Sequence, residues 1–161
     1  MRIVVQQAAF DPGEWLNRLH GDNRGTGAVS GFVGYVRDYN EGAAVAGMWL
    51  EHYPGMTDKA LQTIVEQAMA RWTLLDVQLI HRVGQLEPGE PIVFVGTASA
   101  HRHDAFAATE FIMDYLKTRA PFWKREATPQ GERWVEARDS DEQALARWSE
   151  SRLFGSRGSE S

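Results

Sequence analysis

Two apolar stripes at helical spacing, with a pair of strand-like runs between them, most constrain how this chain can fold. Leu61, Ile64, Val65, Ala68, Met69 and Trp72 form the first stripe; Phe106, Thr109, Ile112, Met113 and Leu116 form the second. Spacing of i+3 and i+4 collects side chains on one side of a helix. Between the stripes, Val77 to Val83 and Ile92 to Ala98 read as strands joined across Glu87-Pro88-Gly89-Glu90, a turn composition. Hairpin-connected strands between helices break any strict strand-helix-strand rhythm, which predicts an α+β fold with a mixed or antiparallel sheet and flanking helices.

The remaining elements follow from local chemistry. Residues 2–8 read as a strand. Asp11-Pro12-Gly13-Glu14 predicts a helix start with a cap, a first-position proline and an acid in the first turn; that helix runs to about His20. Strands are expected over 26–36, weakened or bulged at Gly31 and Gly34, and over 45–53, with a polar turn at 38–42 between them. Thr57 is the expected cap of the first long helix. Residues 122–126 and 133–137 should form a hairpin, and 140–148 a last short helix. At 161 residues the chain reads as a single domain over 1–148, followed by a Ser-, Gly- and Glu-rich tail, 149–161, expected to be disordered.

Chemistry concentrates in Lys117-Thr118-Arg119-Ala120-Pro121-Phe122-Trp123-Lys124-Arg125-Glu126, which gathers four cations although the whole chain carries a net charge of −5. Pro121 lacks an N–H and clashes with a preceding helical turn, and it biases Ala120 away from helical geometry. Lys117 should therefore close one element and Lys124 open another, so that a turn brings both ammonium groups to one wall of a pocket. The alternative is a helix end whose cations merely complement the macrodipole.

Composition excludes several functions. The acidic pI, near 5.5, argues against broad nucleic-acid binding, which needs a basic face. It leaves room for a local cationic site for a small anion. No apolar run approaches the ~20 residues of a membrane helix, and the N-terminus does not resemble a signal peptide, so a cytoplasmic location is expected. There are no cysteines, which removes disulfides, thiolate metal sites and a cysteine nucleophile. Zinc-protease, phosphate-loop, dinucleotide and nucleophile-elbow motifs are absent.

Ser99-Ala100-His101-Arg102-His103-Asp104 follows an apolar strand and precedes a helix. A metal site there lacks a third ligand of diagnostic spacing. An anion site suits it better, since free N–H groups and the helix dipole favour negative charge at that position; a solvated polar cap is the alternative. Arg37 ends a strand, either as a surface partner of Asp38, worth ~0–1 kcal/mol, or as a third cationic arm. Glu51 alternates with Trp49 and Tyr53 and reads as a structural hydrogen-bonding carboxylate. Of the six tryptophans, Trp123 lies nearest the chemistry.

Four segments in order, Leu50-Glu51-His52-Tyr53-Pro54-Gly55-Met56-Thr57, Ile80-His81-Arg82-Val83-Gly84, Ser99-Ala100-His101-Arg102 and Met113 through Glu126, closely resemble the large, catalytic subunit of molybdopterin synthase. The similarity spans about Gly27 to Trp148. It implies an α+β fold with a hammerhead-like portion, and sulfur transfer to cyclic pyranopterin monophosphate, forming the dithiolene of molybdopterin. It further implies a small ubiquitin-like partner whose C-terminal Gly-Gly carries the sulfur as a thiocarboxylate, and a homodimer of large subunits within a heterotetramer. Lys117 and Lys124 match the catalytic lysines; Arg37, His101 and Arg102 match substrate-binding residues; Tyr35, Val36, Arg125 and Glu126 match pocket-lining positions. No metal, other cofactor, nucleic acid or membrane is implied. His103 departs from the family pattern, which more often has a small polar residue there. A non-catalytic module holding a ubiquitin-like tail or a phosphorylated small molecule is the alternative, and a lysine Schiff-base enzyme is a third.

Overall fold

The computed structural model describes residues 1–40, 43–44, 47–128, 131–135 and 142–149, with backbone alone for 39–40, 43–44, 125–128 and 131–135. The elements in chain order are β1 (Arg2–Gln6), α1 (Pro12–His20), β2 (Ala28–Tyr35), β3 (Tyr39–Asn40), β4 (Ala43–Ala44), β5 (Gly47–His52), α2 (Met56–Arg71), β6 (Asp76–Arg82), β7 (Gly84–Leu86), β8 (Pro91–Ser99), α3 (Arg102–Arg119), β9 (Phe122–Thr128) and β10 (Gly131–Val135). A last helix, α4, covers 142–149. The fold is α+β, as expected. The expected tail beyond 149 lies outside the described residues. No described helix is long and apolar enough to cross a membrane.

The first sheet has the order β1-β6-β8-β2. β1 runs parallel to β6, and the other pairs are antiparallel. Its strands alternate between two buried faces. Val77, Leu79, Val93 and Val95 face α2 and α3, where Leu61, Ile64, Val65, Ala68, Phe111, Ile112, Met113 and Leu116 meet them. Ile80, Phe94 and Ala98 face the other way, onto Trp15 and Leu19 of α1. A strand buried on both sides loses its polar alternation, which is why β6 and β8 read as continuous apolar runs. Fully burying a side chain such as Leu61 or Phe111 contributes roughly 1.5–3 kcal/mol. α1 approaches so closely that a Cβ on Gly96 would collide with Leu19 and lie 2.7 Å from Phe94 Cζ. α4 caps the layer by placing Trp148 edge-on against Trp72 and Phe111 at 5.6 and 5.4 Å.

The second sheet, β10-β9-β5-β7, is antiparallel throughout. Val36, Met48, Leu50, Val83 and Leu86 fill the space between the two sheets, with Phe122 packed against them.

Four expectations need correction. The β6–β8 connection is no simple hairpin turn, because β7 leaves to join β5 in the second sheet. The turn expected at 38–42 contains β3, which pairs with β4. Phe106 is not on the inner side of α3 but 65% exposed, and Met69 is likewise exposed. Both stripes extend one position too far around their helices, onto faces that no described element covers. Thr57 is not the cap of α2. Gly55 is, with φ +85, and its N–H donates to Asp58 Oδ2 at 3.0 Å. Thr57 sits two residues further on, within the first turn of α2 and fully buried, and serves a longer-range purpose.

Candidate active site

Pro121 separates the two lysines as its chemistry requires. α3 ends at Arg119 with Ala120 extended, and Phe122 begins β9. Lys117 lies exposed in the last turn of α3, whereas Lys124 is half-buried on β9, opposite Leu50 of β5. The turn between them is fixed from a distance of 64 residues: Thr57 Oγ1 donates to the Pro121 carbonyl at 3.0 Å and accepts the Tyr53 N–H at 3.0 Å. One buried hydroxyl thus ties the start of α2, the end of β5 and the α3–β9 turn together.

Beneath the lysines lies His81, at the end of β6 and fully buried. Its ring stacks on Phe122 with centroids 3.9 Å apart and planes at 14°. Its Nδ1 lies 2.7 Å from the Arg82 carbonyl. A carbonyl oxygen can only accept, so Nδ1 carries the proton and Nε2 keeps the lone pair. Burial pushes the imidazole down to about 4, aided by Lys124, Lys117 and His52. Two lysines from different elements thus both disfavour charge on this buried ring. Phe122 and Lys124 share a face of β9, because side chains alternate along a strand.

Arg37 belongs to this same end. β8 pairs with β2 so that Ser99 lies opposite Ala28 and Pro91 opposite Tyr35. α3 starts just beyond Ser99 and packs back along β8, where Thr97 Oγ1 donates to Ala105 O at 2.8 Å. Its C-terminus consequently returns to the Pro91 and Tyr35 end. There Tyr35 is exposed, Val36 is buried with Leu50 and Phe122 in the inter-sheet core, and Arg37 follows at the surface.

His101 and Arg102 do not join them. Both are exposed at the opposite end of α3, ~22 Å from Lys117 at 1.5 Å per residue. His101 is the N-cap residue, and among the described residues no side-chain cap hydrogen bond is made there; a helix N-terminus of this kind favours an anion. Within one chain, the residues matched to substrate binding thus fall into two groups. The side chains of Arg125 and Glu126 lie outside the described ones; their backbones pair with Trp49 and Met48. Glu51 accepts a hydrogen bond from Trp49 Nε1, the structural task expected of it. Trp123 stands edge-on to Tyr53 at 4.5 Å, on the face of β9 away from Lys124. Among the described residues no group of three His, Cys, Asp or Glu could hold a metal.

His81, Arg82, Phe122 and the Thr57–Pro121 bond were not singled out from local chemistry. A usable signal existed: His81-Arg82 places two ionisable residues at the end of an otherwise apolar strand, where they need buried partners.

The family model described as MoaE protein matches residues 5–119. The molybdopterin synthase catalytic subunit of Pseudomonas aeruginosa is 66% identical over 150 residues, covering 93% of this chain and 100% of that protein. The subunit of the same name from Escherichia coli is 59% identical, covering 91% and 97%. The structure of the molybdopterin biosynthesis MoaE protein from Burkholderia ambifaria superposes with a TM-score of 0.79 at 53% identity, covering 92% and 97%. With the fold, most of the length and more than half of the residues shared, this chain belongs to the MoaE protein family.

Proposed function

We propose that the chain is the catalytic subunit of a molybdopterin synthase, a sulfurtransferase of molybdenum cofactor biosynthesis. Its substrate is cyclic pyranopterin monophosphate. Its sulfur donor is the C-terminal thiocarboxylate of a small ubiquitin-like subunit, and it works in the cytoplasm. The observation that carries this reading is the turn at Pro121, which sets Lys117 at the end of α3 and Lys124 on β9, with Lys124 on the face of β9 that carries Phe122, whose ring stacks on the buried His81. Donor and substrate are both anions, and fixed cations at the meeting point oppose their repulsion without reorganising. Attack of the thiocarboxylate sulfur on a substrate carbon displaces an oxygen substituent from that carbon, which leaves with a proton, and gives a thioester to the carrier. Water then cleaves the acyl C–S bond, which leaves the sulfur as a thiolate on the pterin and returns the tail as a carboxylate. Lysine suits the reacting centre because its pKa is tunable, and arginine suits the phosphate because its planar fork binds oxyanions. Arg37, His101 and Arg102 take that binding role, with Tyr35, Val36, Arg125 and Glu126 lining the pocket.

The ~22 Å between the ends of α3 supports a site shared by two copies. Residues His101 and Arg102 of one copy then complete the lysine end of the other, and the homodimer becomes a catalytic requirement. Reconstitution with thiocarboxylated small subunit and substrate should yield dithiolene product, and Lys117→Ala should abolish it while the fold survives. Full activity of that variant refutes the role of Lys117. At substrate far below the raised KM of Arg102→Ala, where neither variant alone turns over appreciably, mixing Lys117→Ala chains with Arg102→Ala chains should restore about a quarter of the wild-type rate, since half the dimers are mixed and each holds one intact site of two. No recovery on mixing places the whole site within one chain.

A further inference from the structure

Arg82 is a buried charge that the proposed chemistry does not use. It is 6% exposed and fully engaged. Nε and Nη2 both donate to the Gln7 carbonyl, at 3.0 and 2.9 Å, and Nη1 meets Glu90 Oε2 at 2.6 Å. The other oxygen of Glu90 accepts the Glu87 N–H at 2.9 Å. The ion pair therefore grips the turn from Glu87 to Glu90, which passes through Gly89 at φ +88. The Arg82 guanidinium also holds the Glu90 carboxyl below its ordinary pKa, keeping it charged.

That turn in turn grips β2 where its regular ladder fails. Pairing of β2 with β8 shifts register between Gly34 and Tyr35. Immediately beyond, the Val36 N–H donates to Glu90 O at 3.0 Å, and the Gly89 N–H donates to Val36 O at 2.7 Å. Val36 is held on both sides of its backbone, and its side chain is buried. The next residue is Arg37. The direction in which the chain presents Arg37 thus depends on a turn whose anchor is Arg82.

The geometry points to Arg82 and Glu90 as positioning residues for Arg37: their ion pair sets the turn that aims the Arg37 guanidinium at the substrate phosphate. The inference rests on the proposed substrate-binding role of Arg37. Burying the Arg82 guanidinium is a costly way to hold a turn, because that charge must be desolvated, while Glu90 keeps 34% of its side chain exposed. Two bidirectional backbone bonds at Val36 give that cost a purpose, fixing one orientation of the following residue.

The test is a double-mutant cycle in the reconstituted two-subunit enzyme, with Glu90→Gln, Arg37→Ala and the double variant. Glu90→Gln should raise KM for cyclic pyranopterin monophosphate about tenfold, with kcat changed less than about twofold; coupled neighbours show interaction effects of this size. In the Arg37→Ala background the same substitution should have no further effect. Independent, multiplying effects, or a fall in kcat at unchanged KM, overturn the proposal, because a merely structural weakening acts whether or not Arg37 is present. Amide exchange at Val36 and Gly89 gives a readout free of activity. It should quicken about tenfold in Glu90→Gln, as loss of a local hold predicts, and unchanged exchange also overturns the proposal. Quickened exchange together with a normal KM in Arg37→Ala shows that Arg37 does not bind substrate, and the positioning role falls with it. Loss of product in every form of the enzyme, wild type included, is a failure of the sulfurtransferase reading and is recognised as such by the wild-type control.

Discussion

The two ends of α3 carry cations in opposite settings. At the C-terminal end, Lys117 is exposed, but Lys124 is half-buried beside a stacked His81–Phe122 pair whose imidazole is buried. At the N-terminal end, His101 and Arg102 stand exposed before an uncapped first turn. Only one end thus combines cations with a buried, neutral imidazole. An exposed arginine keeps its charge in any such setting and suits recognition. Under the proposed function, one end does the chemistry and the other holds an anion.

The largest expected effect breaks that contrast directly. Lys117→Ala and Lys124→Ala should each lower kcat by ~10²–10³, the range seen when one preorganised electrostatic contact to a transition state is removed. Arg102→Ala should instead act mainly on KM. Steady-state kinetics of the three variants decides, and equal kcat losses at both ends would erase the distinction.

Acid should next sharpen it. His81 sits at about 4 in the fold against an ordinary 6.5. Above pH 6.5 neither folded nor unfolded chain holds that proton, and stability is complete. As the pH falls, the unfolded chain protonates first, so stability is lost between about 6.5 and 4 and no further below. The full loss is ~3 kcal/mol at 1.36 kcal/mol per pK unit. His81→Asn keeps a donor for the Arg82 carbonyl and cannot titrate, so its thermal stability should lose this acid-sensitive component. An unchanged pH profile would assign the sensitivity to another group.

Thr57→Val removes the hydroxyl shared by Tyr53 and Pro121 and leaves a buried carbonyl and N–H unsatisfied. A cost of ~2 kcal/mol is expected, read by denaturant titration, with turnover falling more than stability because Lys124 follows the Pro121 turn. The smallest effect belongs to the exposed flank. Phe106→Ser near the start of α3 should change stability by less than about 0.5 kcal/mol. A larger loss would mean that this face is covered in solution.

The sequence made the secondary structure legible where periodicity and turn chemistry agreed. Asp11-Pro12 starts α1, with Asp11 Oδ1 accepting the Gly13 N–H, and Pro121 ends α3 as its missing N–H demands. Legibility stopped where one residue serves partners far along the chain. Thr57 has the composition of a helix cap, and nothing local says that its hydroxyl will reach Pro121. Phe106 continues a helical stripe on paper, but where the stripe stops depends on where the sheet ends. The grouping of Arg37 with Lys117 and the separation of both from Arg102 follow from strand register and from the direction in which α3 runs. Those are properties of the assembled sheet, and no single segment contains them.

The length of α3 has a consequence for how such a chain can vary. If two copies share their sites, this helix is the ruler that spaces one phosphate-gripping end from one lysine end, and its unit is the 1.5 Å rise of a residue. Inserting one residue would turn everything beyond it by about 100° and advance it by about 1.5 Å. The copies would still fold, yet their ends would no longer meet in phase. Surface substitutions along α3 are then cheap, whereas any change in its number of residues is not.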